Sequence, residues 1–211
     1  MTDKKLRIGC VGIGGMGSCH VGAHSRNKRV EIAALCDLIP EKCEKIIEKL
    51  KLDPDTPIYT DFREMIEKEQ LDAVDIATPN DFHSIIAVYA LEHGLHVFCE
   101  KPDAVSPAEA EKMKAASEKA GKVLMVMRNN RYYSNSQYLK KYIEAGNAGE
   151  IYCGRCGWIR RRGIPGRGGW FTTKAKSGGG TLIDWGVHFL DLALYILGMP
   201  KLQTVTCNTY G

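Results

Sequence analysis

The sequence predicts an α/β fold in which a doubly wound parallel sheet forms the first part of the chain. From Leu6 to about Arg128, short apolar runs alternate with segments of helical periodicity, the pattern of parallel strands joined by crossover helices. A glycine-rich hexapeptide separates the first apolar run from the first helical segment. Beyond Arg128 the alternation stops, so we expect one domain over residues 1–128 and a second over 129–211.

The first domain is predicted to alternate strands with helices. The strands are expected at Arg7–Val11, Glu31–Cys36, Ile58–Tyr59, Ala73–Ala77, His96–Cys99 and Val123–Met127. The helices are expected at Gly15–Asn27, Glu41–Lys51, Phe62–Glu69, Phe82–His93 and Pro107–Ala120. Ser106 before Pro107 predicts a capped helix start, while Gly94 and Gly121 stand where a left-handed residue ends a helix.

The second domain has fewer recognisable elements. In chain order we expect a helix at Asn135–Ala145, a strand at Ile151–Arg161, a glycine-rich basic loop at Gly163–Gly180, a helix at Leu182–Leu197 and a strand at Gln203–Thr209.

Composition excludes several classes of partner. A net charge of +4 is too small for a nucleic-acid or anionic-membrane protein. Strand alternation would place Arg161 on the opposite face from its two arginine neighbours, so no continuous basic stripe is predicted. No apolar run approaches the ~20 residues that span a bilayer, and the polar start is unlike a signal peptide. We therefore expect a cytoplasmic protein.

The cysteines do not predict a metal site. Eight cysteines scattered over strands and helices suit reduced thiols better than a disulfide framework. Cys153 and Cys156 have C-x-x-C spacing, but on a strand they would face opposite sides, and no second ligand pair completes a zinc site.

The hexapeptide Gly12 to Gly17 matches G-x-G-x-x-G between a strand and a helix, the context that makes this motif a dinucleotide-binding turn. Gly12 permits the tight turn, Gly14 allows a pyrophosphate to approach, and Gly17 allows close helix packing. Gly15 and Met16 lie at the helix start, where free N–H groups can bind phosphate.

Asp37 ends the second predicted strand, where a carboxylate accepts from the adenosine ribose hydroxyls. Leu38, Ile39 and Pro40 follow it, with no arginine for a 2′-phosphate. The sequence therefore favours NAD over NADP.

Two further segments leave the carboxyl ends of predicted strands, where this fold places its ligands. The candidate cofactor-binding residues there are Thr78, Pro79, Asn80, His83, Glu100 and Lys101. For His83, a role as an ordinary first-turn helix residue is equally consistent with the sequence.

The predicted helix at 182–197 carries ionisable groups within an apolar run and should be largely buried. Asp184, His188, Asp191 and Tyr195 share one face of this helix. Because burying such groups is costly, they either satisfy each other or face a reactive cleft.

Other polar residues give weaker signals. Arg162 and Trp170 are candidate substrate-binding residues, although a solvated sheet face explains the arginines equally well. Arg131 is a weaker candidate for the same cleft. His20 and His24 share a helical face, and we expect surface or packing roles for both.

Five motifs together resemble the glucose–fructose oxidoreductase, inositol dehydrogenase and MocA family. They are GCVGIGGMG, CDLIPEK, DAVDIATPNDFH, CEKPDA and SGGGTLIDWGVHFLD. The resemblance implies a Rossmann domain followed by a domain with an open, mainly antiparallel sheet, with substrate and nicotinamide meeting between them. It also implies that Lys101, Asp184 and His188 are catalytic and that substrates are sugars, inositols or related polyols.

Alcohol oxidation fits these residue types. His188 can take the hydroxyl proton, Asp184 can orient the imidazole, and Lys101 can stabilise the developing alkoxide. Family members are usually much longer, so we expect a C-terminally truncated chain that associates through its second-domain sheet into a homo-oligomer. Two alternative functions stay open: a dinucleotide-binding fragment or sensor without turnover, and an NAD-assisted glycosidase.

Overall fold

The computed structural model describes residues 4–159, 161–163 and 168–208. Within these ranges the chain divides into two compact units. The first unit contains residues 4–127 together with 168–183, and the second contains 128–163 and 184–208 where described. The first division coincides with the boundary expected near residue 128, whereas 168–183 groups with the first unit. The domain assignment itself stays a prediction.

The first unit is built on a six-stranded parallel sheet with the order β3-β2-β1-β4-β5-β6. Its strands are β1 Leu6–Val11, β2 Val30–Cys36, β3 Ile58–Tyr59, β4 Ala73–Ile76, β5 His96–Cys99 and β6 Leu124–Val126. Strand order reverses between β1 and β4, so the carboxyl ends of these two strands flank the crevice of a doubly wound sheet. The predicted fold class of the first domain is confirmed.

Helices connect the strands as the periodicity predicts. They are α1 Gly15–His24, α2 Pro40–Leu50, α3 Phe62–Lys68, α4 His83–Glu92 and α5 Pro107–Ala120. A 3₁₀ turn at Asn80–Phe82 precedes α4. The predicted caps are present: Ser106 accepts a hydrogen bond from the Glu109 N–H, and Gly121 ends α5 in the left-handed conformation.

The sheet is buried on both faces. Along β2, Leu35 joins one apolar cluster, whereas Ala34 and Cys36 join the other. This alternation shows that successive side chains pack against different helical layers. All eight cysteines are free thiols; Cys10, Cys36, Cys43 and Cys99 are buried, and Cys19, Cys153, Cys156 and Cys207 are exposed.

The predicted loop at 163–180 is more ordered than its glycine content indicated. It contains a 3₁₀ turn at Trp170–Thr172 and the short helix α7 at Lys174–Ser177. The side-chain amide of Asn80 donates to the Ser177 carbonyl at 2.9 Å in a buried contact. Gly178 lies so close to Val105 that an added Cβ would approach the Val105 Cα to 3.0 Å. These contacts explain why the segment groups with the first unit.

The second unit is helical where it is described. It contains a 3₁₀ turn at Asn129–Tyr132, α6 at Ser134–Glu144 and α8 at Val187–Ile196. The two predicted strands, Ile151–Arg161 and Gln203–Thr209, are corrected for the described residues, because 151–159 and 201–208 carry no strand. A strand needs a hydrogen-bonded neighbour, and 151–159 pair with no strand in the described part of the chain. The antiparallel sheet implied by the resemblance is therefore absent from the described part of this unit. Arg160, Arg167 and Thr209 lie outside the described residues.

The helix predicted at Leu182–Leu197 differs from expectation in two respects. It begins with a π-helical turn at Leu182–Gly186, a wider turn that often marks functional sites, before α8. It is also less buried than predicted, since Leu182 is 64% exposed and Leu190 is 55% exposed. The few described elements of the second unit do not cover every side of this apolar helix.

No helix in the described ranges is long and apolar enough to cross a membrane.

The packing of α1 on the glycine turn gives a first prediction. A Cβ at Gly17 would lie 1.7 Å from the Gly12 carbonyl oxygen, whereas one at Gly15 would meet no atom within 4 Å. We expect Gly17→Ala to lower the free energy of unfolding by about 3 kcal/mol or more. The matched variant Gly15→Ala should change it by less than about 0.5 kcal/mol. Urea unfolding of both variants measures the difference, and equal stabilities would contradict this account of Gly17.

Candidate functional site

The glycine turn lies at the carboxyl end of β1, against the end of β4. Gly12 has a φ of +90°, and a Cβ on it would lie 2.7 Å from the Ala77 carbonyl group. By contrast, an added Cβ at Gly14 or Gly15 would meet open space. The turn is thus closed towards the sheet and open in front, where a pyrophosphate can approach the backbone N–H groups that begin α1. Met16 is 53% exposed beside it.

Asp37 is held in place at the end of β2. Its Oδ2 accepts from the Ile13 N–H at 2.8 Å, and its Oδ1 accepts from the Ile39 N–H at 3.0 Å. Lys42, in the first turn of α2, brings its Nζ to 3.1 Å from the same Oδ1. The three residues that follow Asp37 give no sign of this lysine, which lies five residues after the carboxylate in the sequence.

The segment after β4 holds its polar groups in different ways. The Thr78 Oγ1 is buried and has no hydrogen-bond partner in the described part of the chain, so it is available to a ligand. Asn80 is instead committed to the Ser177 carbonyl. His83 is fully buried, with Nδ1 2.7 Å from the Pro102 carbonyl oxygen and Nε2 3.1 Å from that of Thr78.

The imidazole of His83 is therefore held at both nitrogens and has no exposed surface. Burial also lowers its pKa. His83 ties the segment after β4 to the segment after β5, a structural role that the sequence left open beside ligand contact, and its contact with a cofactor stays a prediction. Cofactor contacts of Pro79 and Asn80 stay predictions.

The E-K-P segment, Glu100 to Pro102, leaves the end of β5 as a fixed turn. Glu100 is 5% exposed, and its Oε2 accepts from the Lys101 N–H at 2.9 Å. The Lys101–Pro102 peptide bond is cis. Because the Glu100 carboxylate bonds to the backbone of the next residue, it restrains the point from which the Lys101 side chain projects.

A buried charge network that was not expected from the sequence lies behind this turn. His20 Nδ1 lies 2.9 Å from Asp75 Oδ1, and His20 Nε2 lies 3.0 Å from Glu100 Oε1. His24 Nε2 lies 2.6 Å from the other Asp75 oxygen. The expected surface or packing roles of His20 and His24 are therefore corrected. The available signal was Asp75, a carboxylate in the middle of an otherwise apolar buried strand.

Hydrogen bonds within this network determine which of its groups are charged. Burial by itself lowers the pKa of His20, but hydrogen bonds with Asp75 and Glu100 outweigh it and raise the pKa to about 10. Burial by itself raises the pKa of Asp75 and of Glu100, but hydrogen bonds from His20 hold both below their ordinary values. Two carboxylates therefore enclose an imidazolium.

One group of side chains in the described ranges has the spacing to ligate a metal. The ligand atoms of Cys10, His24 and Asp75 lie within 4.8 Å of one another. Both Asp75 oxygens already accept hydrogen bonds from the two histidines. Burial raises the pKa of the Cys10 thiol, so the reactive thiolate is disfavoured.

In the second unit, two of the four polar residues that share one face of the 182–197 helix, Asp191 and Tyr195, are held by neighbouring side chains. The Arg131 guanidinium binds the Asp191 carboxylate through two hydrogen bonds, one of 2.7 Å, and lies 5.1 Å from the centre of the Tyr195 ring. The Tyr195 hydroxyl accepts from the Gln137 side chain at 3.0 Å. Arg131 is thus held in an ion pair that ties α8 to the turn before α6, and its place in a substrate cleft stays a prediction.

The other two polar residues of this face are Asp184, within the π-helical turn, and His188, in the first turn of α8. The Trp185 ring is 6.0 Å from that of His188 and stacks on Trp158 at 5.0 Å. Arg162 is exposed in the same unit. Trp170, in the first unit, packs edge-on against Phe171 at 5.3 Å. The catalytic and substrate roles of these residues stay predictions.

The residues of the first unit fit NAD. The glycine turn is open where a pyrophosphate would lie, Asp37 is fixed where the ribose hydroxyls would donate, and the Thr78 hydroxyl has no hydrogen-bond partner among the described residues.

The buried network predicts how stability depends on pH. Since the folded pKa of His20 is about 10, against 6.5 in a model peptide, its stabilisation is complete below about pH 6.5 and is lost as pH rises through 10. Replacing one member of a buried ion pair costs about 3 kcal/mol. We expect His20→Gln to be less stable than the wild type by about this amount at pH 6, with the difference shrinking towards pH 10.5. Chemical denaturation across this range measures it, and a difference independent of pH would contradict the assignment.

Comparisons with known proteins agree with this site. Residues 6–128 match the oxidoreductase family with an NAD-binding Rossmann fold, GFO_IDH_MocA, and residues 136–210 match the GFO/IDH/MocA C-terminal domain. D-glucoside 3-dehydrogenase of Escherichia coli K12 is 35% identical over 211 residues, covering 100% of this chain and 59% of the relative.

Solved structures give the same result. Myo-inositol 2-dehydrogenase from Lactobacillus plantarum matches with a TM-score of 0.76 and 31% identity, covering 92% of this chain and 57% of that one. GenD2 from gentamicin A biosynthesis, in complex with NAD, matches with a TM-score of 0.79 and 25% identity over 93% of this chain and 55% of its own. The chain spans about half the length of the curated relatives it matches. With both family models matching, the chain belongs to the GFO/IDH/MocA family of oxidoreductases.

Proposed function

We propose that this protein is an NAD-dependent oxidoreductase that transfers hydride between a hydroxyl of a sugar, inositol or related polyol and the nicotinamide. The observation that carries the proposal is the open glycine turn together with the fixed Asp37 carboxylate, on the same edge of the sheet as the Glu100–Lys101 turn. The similarity to a glucoside dehydrogenase and an inositol dehydrogenase supports the substrate class.

In this proposal the first unit binds and orients the dinucleotide. The N–H groups at the start of α1 bind the pyrophosphate, Asp37 accepts from the ribose hydroxyls, and Thr78 Oγ1 offers a further hydrogen bond. When bound, the nicotinamide supplies the hydride chemistry. The protein must then position the substrate hydroxyl and move its proton.

Three side chains divide that work. Lys101 donates a hydrogen bond to the reacting oxygen and stabilises negative charge that develops there. His188 accepts the hydroxyl proton, because an imidazole titrates near neutral pH. Asp184, four residues earlier, orients the imidazole and stabilises its charged form. Arg162 and Trp170 are proposed to bind other parts of the substrate.

A substrate screen followed by NADH absorbance tests this function. We expect the wild type to reduce NAD with at least one polyol or sugar, and Lys101→Met and His188→Asn each to lower kcat by ~100-fold or more. Lys114→Met and His93→Asn are matched controls, since both residues are exposed and outside the proposed machinery. Full activity in His188→Asn would refute its role as the base.

Cofactor choice gives a separate prediction. The Asp37 carboxylate favours ribose hydroxyls and repels a 2′-phosphate, so Asp37→Asn should weaken NADH binding by roughly 10-fold. NADPH binding should weaken much less, and the preference between the two should narrow. Fluorescence titration measures both affinities, with Asp55→Asn as an exposed control. An unchanged ratio would show that Asp37 does not select the cofactor.

The same assays separate the alternatives. Tight NADH binding without turnover on any polyol would identify a binding fragment or sensor, whereas aglycone release without net NADH would identify an NAD-assisted glycosidase. Location in the cytoplasm and self-association into a homo-oligomer stay predictions.

A further inference from the structure

The buried network joins three elements that carry different parts of the proposed site. His20 lies in the second turn of α1, the helix whose first turn is proposed to bind the pyrophosphate. Asp75 lies within β4, and Glu100 follows β5. The two nitrogens of one imidazole therefore connect the phosphate-binding helix to two strands of the sheet.

The contacts continue from His20 to Lys101. One Glu100 oxygen faces His20 at 3.0 Å, and the other accepts from the Lys101 N–H at 2.9 Å. A carboxylate held at both oxygens cannot rotate without losing a hydrogen bond. The backbone of Lys101 is therefore fixed with respect to α1.

Burial makes this connection costly to break. His20, Asp75 and Glu100 are all at most 5% exposed, so water cannot replace a lost partner. The ring of Phe98 lies 5.5 Å from that of His20 and covers it on the β5 side.

We propose that His20 is a positioning residue for Lys101, acting through Glu100. The proposal rests on the proposed function in one respect, the participation of Lys101 in catalysis. Its structural part, that His20 fixes the Glu100–Lys101 turn, can be tested without any turnover.

The geometry also assigns the protonation of His20. Each of its ring nitrogens faces a carboxylate oxygen, and an ionised carboxylate only accepts, so both nitrogens must donate. The charged or titratable groups around it are Asp75 from β4, Glu100 and Lys101 after β5, His24 from α1 and Cys10 from β1. His20 acts as a fixed cation across the pH range in which a neutral catalytic imidazole works.

Two variants separate positioning from simple stability. The amide of His20→Gln reaches about as far as Nε2 and can still donate to Glu100. The shorter amide of His20→Asn lies near the position of Nδ1 and can donate only to Asp75. Both variants lose the charge and one carboxylate contact, so a purely structural role predicts similar effects from both.

Amide hydrogen exchange measured by NMR tests the structural part. We expect the Lys101 amide to exchange at least ~10-fold faster in His20→Asn than in the wild type, and near the wild-type rate in His20→Gln. The Arg7 amide, bonded to the distant Asp72 carboxylate at 2.9 Å, is the internal control, and the Lys101 rate is taken relative to it in each protein because a loss of global stability would speed both. Equal exchange at Lys101 in all three proteins would overturn the proposal.

Kinetics test the catalytic part. His20→Asn should lower kcat by ~10-fold or more while the Kd for NADH changes by less than about 3-fold, and His20→Gln should recover most of the loss. Equal kcat values for the folded variants would overturn the positioning role. If the wild type turns over no polyol, the proposed function fails, but the exchange result at Lys101 still decides the structural part.

A measurement on the wild type covers the case in which a variant does not fold. Long-range ¹H–¹⁵N spectra at pH 8 should show both His20 nitrogens protonated. One unprotonated His20 nitrogen would overturn the proposal, because His20 could then donate to only one of the two carboxylates.

Discussion

The carboxyl edge of the sheet depends on the burial of two carboxylates, Asp75 and Glu100, at the centre of the first unit. Neither could remain ionised in an apolar interior without a cation, and His20 supplies it from α1. The network therefore requires α1 to approach the sheet closely, which in turn requires glycine at positions 12 and 17. The ion-pair network around His20 therefore holds together the glycine turn, the central strands and the E-K-P segment.

This dependence explains which parts of the fold could be predicted from sequence. The strands and helices of the first unit follow local periodicity and capping, and residues such as Ser106 and Gly121 act within a few positions of themselves. The partnership of His20 with Asp75 and Glu100 spans 55 and 80 residues, so no local pattern contains it. The one available hint was the energetic cost of Asp75 within an apolar strand.

The second unit could be predicted less well, for a different reason. Strands are expected from the sequence at 151–161 and 203–209, but a segment forms a strand only when a neighbour pairs with its backbone. For the 182–197 helix, the sequence predicted that four polar residues share one face, but it could not show which of them have structural partners. Asp191 and Tyr195 belong to a structural cluster with Arg131, which leaves Asp184 and His188 beside the π-helical turn.

The distribution of the free cysteines has a practical consequence. Four thiols are buried in the first unit, and four lie at the surface. Burial raises the pKa of Cys36 and Cys43 to about 12, so very little thiolate exists at these two sites at neutral pH while the first unit is folded. A thiol reagent should therefore label the surface sites at once, and it should label the buried sites only as fast as the sheet opens. The labelling rate of the buried cysteines therefore reports how often the first unit opens.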